Sequence, residues 1–168
     1  MANNIREIMT KAVVAKGNVK NEKTYSIKTE KEASSVLGCW IINHDFKSFI
    51  EQDHLFVEGT YDINLWYAPK DGTNSEVYIH TINYKDELVL TKEDDIILDK
   101  TFITRAHSVI SPTCKTADVI ATNKIEILIE KEFNCDVIGD TFIFVEVLNS
   151  KEVLNQLDFK INENFIEE

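Results

Sequence analysis

The chain has 168 residues, of which 43% are hydrophobic, and its 18 basic and 29 acidic side chains give a formal net charge of −11 at pH 7. That length suits one domain with a core of its own, needing neither a metal nor a disulfide staple, and the composition is globular, not disordered. The acidic excess opposes binding to phosphate backbones and anionic membrane surfaces, so nucleic acid is not an expected partner.

The N-terminal text MANNIREIMTK has no apolar core of signal-peptide length, and no run approaches the ~18 apolar residues that span a bilayer. The expectation is a protein made and kept in a cytoplasm, without membrane insertion. Ile5, Ile8 and Met9 can form one apolar turn, an N-terminal arm, ahead of the first strand.

Beyond that arm the apolar pattern has period two nearly throughout. It predicts nine strands, over residues 8–16, 24–28, 35–44, 54–67, 76–90, 101–109, 117–121, 124–136 and 141–148. The clearest lies in VEGTYDINLWYA, residues 57–68, where Gly59, Tyr61, Ile63, Leu65 and Tyr67 share one face and Glu58, Thr60, Asp62, Asn64 and Trp66 the other. Turn signals separate the candidates at PKDGTN, SPTC, ATN and IGD, the first being the strongest because Asp-Gly tolerates positive φ. The candidates at 76–90 and 124–136 exceed the usual five to six residues, and such strands leave edges to manage. Lys124, Glu126, Glu130 and Glu132 would blunt one edge, while Ile125, Ile127, Ile129 and Phe133 face a core.

The fold expected is all-β: a single antiparallel β-sandwich, or barrel-like domain, of about nine strands over residues 1–148, with short arms at both ends. The second arm, residues 149–168, is acidic and apolar together. Val153, Leu154 and Leu157 share one side of a helix there, with Asn149 or Ser150 as its N-cap. Ile5, Ile8 and Met9 at one end, with Val153, Leu154, Leu157 and Phe165 at the other, are too apolar for idle tails, so they are candidate contacts between subunits.

A nucleophile needs a base in reach, and the candidates are Cys39, Cys114 and Cys135 with His44, His54, His80 and His107. Strand alternation puts Cys39 on the face opposite His44, which favours a structural thiol. Zinc sites show ligands two to four residues apart, whereas His44 and His54 are ten apart, so no metal is expected. Glu58 and Asp62 would stand roughly 13 Å apart on one strand, too far for a glycosidase pair. No phosphate-binding glycine loop or serine elbow is present, so the reading is no enzyme and no cofactor.

Three cysteines are too few and too widely spaced for a disulfide framework, and an odd count leaves one thiol unpaired. Cys114 is the choice for it, because SPTCK reads as a surface turn. The thiols are then reduced in the cytoplasm, and any disulfide forms later between subunits. Aromatic residues concentrate between residues 40 and 84, and Trp66 shares its face with Asp62 and Asn64. It either covers the end of the sandwich or anchors an interface, where Trp and Tyr are enriched.

Three blocks, REIMTKAVVAKG from residue 6, SSVLGCWIINH from residue 34 and VEGTYDINLWYA from residue 57, followed by DVIGDTFIFVEV from residue 136, together resemble the CotE family of outer spore-coat morphogenetic proteins of endospore-forming bacteria. The resemblance implies a structural scaffold, not an enzyme, that self-associates into higher-order homo-oligomers and supports outer coat assembly. It implies action in the mother-cell cytoplasm and then in the spore coat, with other spore coat proteins as partners. The resemblance also implies recruitment by an acidic C-terminal part, but here only Glu163, Glu167 and Glu168 follow Asp158, which weakens that element. The competing class is a carbohydrate-binding-like β module using Trp66, Tyr67 and Asn64.

Overall fold

The computed structural model describes residues 4–147. It contains seven strands and, among those residues, no helix: β1 Ile5–Lys28, β2 Ala33–Glu51, β3 His54–Pro69, β4 Glu76–Glu87, β5 Val89–Lys92, β6 Ile103–Ala121 and β7 Lys124–Glu146. They form a four-stranded sheet in the order β5-β1-β7-β6 and a three-stranded sheet in the order β2-β3-β4. The all-β, antiparallel expectation stands, with two sheets, seven strands instead of nine and, among the described residues, no closed barrel. The chain divides into two compact units, Val13–Gly139 and a smaller one made from its two ends.

The difference in strand number comes from continuity. The expected strands at 8–16 and 24–28 are one strand, β1, because its polar middle stays paired: Asn18 Nδ2 donates to Asn134 Oδ1 at 2.7 Å. SPTC is not a turn but part of β6, an edge strand, where a proline removes no needed ladder bond. Register shifts between Ile110 and Thr113 absorb it as a bulge. IGD likewise lies inside β7. The candidate at 76–90 instead divides at Leu88, whose buried N–H donates to the Leu55 carbonyl at 2.9 Å as the chain passes from one sheet to the other. Two turns are as expected, with Gly72 at φ 71° and Asn123 at φ 56°. A third, Gln52-Asp53, takes positive φ at both residues and closes β2 onto β3 as a two-residue hairpin.

In the larger unit β3 and β7 are the central strands, and their alternation sets the core. Leu55, Val57, Tyr61, Ile63, Leu65 and Tyr67 of β3 face inward, as do Ile125, Ile127, Ile129, Phe133, Cys135 and Val137 of β7. Since β7 is interior to its sheet, its charged face does not blunt an edge. Glu130 pairs instead with Lys20 of the adjacent β1 at 2.8 Å.

Two apolar clusters, one around Leu55, Val57 and Phe133 and the other around Ile63, Leu65 and Ile127, flank a belt of inward polar groups. Lys131 pairs with Asp86 at 2.7 Å and lies 4.7 Å from the centre of the Tyr84 ring. The Tyr84 hydroxyl and His44 Nε2 are 2.7 Å apart, and the Tyr25 and Tyr61 hydroxyls 3.0 Å apart. Burial lowers the His44 pKa, and Lys131 lowers it further against an opposing pull from Asp45. Burial raises those of Tyr61 and Tyr84. The belt is thus made of neutral rings around one ion pair.

Candidate assembly surface

The outward face of the β2-β3-β4 sheet is built by register. Gly38, Trp66 and Val77 lie side by side across the three strands, followed by Trp40, Asn64 and Ile79, then Ile42, Asp62 and Thr81. Gly38 lets the Trp40 ring lie across it, since a Cβ there would meet the ring and displace it. Trp40 and Trp66 are 54% and 41% exposed, and Leu37, Val77 and Ile79 are exposed as well. The polar groups among them are satisfied. Trp66 Nε1 donates to Asn64 Oδ1 at 2.7 Å, while Thr81 and Asn43 donate to the two oxygens of Asp62 at 2.6 and 2.8 Å. Those bonds hold the Asp62 carboxyl below the usual carboxylate range.

Trp66 therefore stands on the outward face of the middle strand, β3, one register pair from the end of the β3-β4 ladder, and not over the core. Trp40, Val77 and Ile79 complete the surface, and no local motif singles them out. The signal was available in EVYIHTINYKDE, whose alternation puts Val77 and Ile79 on the face of Trp66 once β3 and β4 are paired in register. Tyr67 is buried in the core, so it does not share that face.

In the smaller unit, described over residues 4–12 and 140–147, Ile5, Ile8 and Met9 are exposed on β1 and Phe142 and Phe144 on β7. The expected apolar turn at Ile5, Ile8 and Met9 is instead strand, and the Val147 N–H donates to the Asn4 carbonyl at 2.9 Å. Val153, Leu154, Leu157 and Phe165 lie outside the described residues.

The cysteines are not placed as alternation suggests. A register shift between Ile42 and Asp45, with Asn43 at φ 53°, turns His44 to the inward face that Cys39 and Ile41 also occupy. Cys114 is a half-buried residue of β6, not a turn residue, and its Sγ donates to the Thr116 carbonyl at 3.3 Å. Cys135 is buried. Among the described residues no group of three or more His, Cys, Asp or Glu side chains is arranged to hold a metal ion.

A surface with paired polar groups and unpaired apolar ones is suited to binding. The family model for outer spore coat protein E (CotE) matches residues 4–168. The chain belongs to the CotE family. No curated protein and no solved structure matches it. CotE is a structural spore-coat family, and membership makes this chain a spore coat protein whose place is the coat.

Proposed function

We propose that this CotE-family chain is a morphogenetic scaffold whose copies associate into higher-order homo-oligomers and, with other coat proteins, build the outer coat. Its activity is assembly, not catalysis. The observation that carries the reading is the exposed apolar face of the β2-β3-β4 sheet, with Trp40 and Trp66 at its centre. Aromatic anchors of this kind are concentrated in interfaces. An apolar face is also complementary to itself, which is what a symmetric contact between identical copies needs. The smaller unit offers a second exposed apolar surface, so one copy can make two kinds of contact, the condition for a ring or an open lattice. A carbohydrate-binding role through Trp66, Tyr67 and Asn64 has less support, because Tyr67 belongs to the core and Asn64 Oδ1 is held by Trp66.

The purified protein, with no cofactor added, is expected to gain mass with concentration in light scattering and to give ordered particles by electron microscopy. Trp66→Ala should leave the melting temperature within a few degrees and weaken assembly by tenfold or more, the order of a hot-spot truncation. A monomer at high concentration would refute the scaffold, and a destabilised Trp66→Ala with normal assembly would refute this face.

A further inference from the structure

Cys39 and Cys114 lie on β2 and β6, the strands that end their respective sheets. Each sits beside a break in pairing, between Val36 and Gly38 on one strand and between Cys114 and Thr116 on the other. Such bulges bend a strand and re-aim its side chains. Both thiols pack against the same apolar cluster, that of Ile63, Leu65 and Ile127. Both also line one surface depression of about 200 Å³, shared with Leu37 and Lys115. Each shifts the other, the Cys39 thiol being pushed up and the Cys114 thiol drawn down. Cys135, by contrast, is buried in the other cluster.

We propose that Cys39 and Cys114 are an oxidisable pair that closes an intrachain disulfide between the two sheets, clamping the β2 and β6 edges of the sandwich together. The co-reactant is a low-molecular-weight disulfide, RS–SR. The Cys114 thiolate attacks one of its sulfurs, forming a mixed disulfide and releasing RS⁻. Cys39 then attacks the Cys114 sulfur, its proton passing to solvent, and expels the second RS⁻. Two protein thiols are oxidised, one RS–SR is reduced to two thiols, and the two protons end on the two RS⁻ leaving groups. Cys114, the thiol drawn down, starts the exchange, since the thiolate is the attacking species, and Cys39 resolves it. The clamp would set once the protein leaves reducing surroundings, which gives the odd cysteine count a different meaning. The unpaired thiol is buried Cys135, and Cys114 is consumed within its own chain instead of linking subunits.

The test is oxidation of the full chain with glutathione disulfide, read by intact mass, peptide mapping and non-reducing gels. The expected product is a chain lighter by two hydrogens, with a Cys39–Cys114 crosslinked peptide and no covalent dimer. Its melting temperature should rise by roughly 5 to 15 °C over the reduced protein, as for a native disulfide closing a long loop. Cys135→Ala should retain the crosslink, whereas Cys39→Ser should stop at a glutathione adduct on Cys114. The mapping uses the parent chain, so it does not depend on any variant folding. Covalent dimers lost in Cys114→Ser, a crosslink through Cys135, or an adduct on Cys114 that never resolves in the parent would each overturn the proposal.

Discussion

Ile63 lies opposite Ile41 on one side and His80 on the other, and it is 1% exposed. Truncation to alanine removes transfer energy and leaves a cavity, so Ile63→Ala should cost about 2 to 5 kcal/mol, visible as a lower denaturation midpoint. An unchanged midpoint would contradict the inward assignment of the β3 face. His44 supplies a second residue-scale test. Its depressed pKa means that the folded state disfavours the imidazolium while the unfolded state does not. The unfolded chain therefore binds more protons as the pH falls, and stability present above the unfolded value near 6.5 is lost below it. The groups around His44 are Tyr84, Tyr61, Phe46 and Phe133, with Lys131 and Asp45 as the nearby charges. His44→Gln, which keeps a group able to accept from the Tyr84 hydroxyl, should flatten the dependence of the unfolding midpoint between pH 7 and pH 5. An equally steep profile in the variant would assign the acid sensitivity to other groups.

Between β4 and β7 a single ion pair bridges the sheets, Lys131 with Asp86, their side chains 5% and 13% exposed. Removing one partner strands the other as a buried charge, so Lys131→Met should cost about 3 to 5 kcal/mol. Lys131→Met combined with Asp86→Leu should recover most of that loss, because an apolar pair of similar volume suits the clusters on both sides. Denaturant titration of the three proteins measures the coupling, and a loss under about 1 kcal/mol for the single variant would show the pair to be solvated after all. The same elements mark what alternation can and cannot reveal. The core faces of β3 and of β7 up to Phe133 are legible because central strands obey period two without interruption. Lys131 is not, since it lies on the apolar face of β7 and only the facing Asp86 makes it tolerable. Where the register shifts, at Asn43, Pro112 and Lys115, local text reads as a turn or gives the wrong face, and long-range pairing decides. That is why Cys114 looked like a surface turn residue, why His44 seemed to face away from Cys39, and why the apolar outer face became a surface only when three strands were laid side by side.

At the scale of the whole molecule, a net charge of −11 makes copies repel one another, so the proposed self-association has to draw on apolar contact. This sharpens the role proposed for the C-terminal arm. Residues 149–168 carry five acidic and two basic side chains, together with Val153, Leu154, Leu157, Phe159, Ile161 and Phe165. Deleting them lowers the repulsion and removes apolar surface at once, and the two effects pull assembly in opposite directions. If the arm joins subunits, a chain ending at Leu148 should keep a cooperative melt, because both core clusters lie within Val13–Gly139, yet fail to build particles at concentrations where the full chain does. Adding salt to screen the remaining charge should not restore them, since screening acts on surface charges and supplies no apolar contact. Normal or enhanced assembly by the shortened chain would show that the arm contributes only charge. Loss of the melt would show that it completes its own subunit.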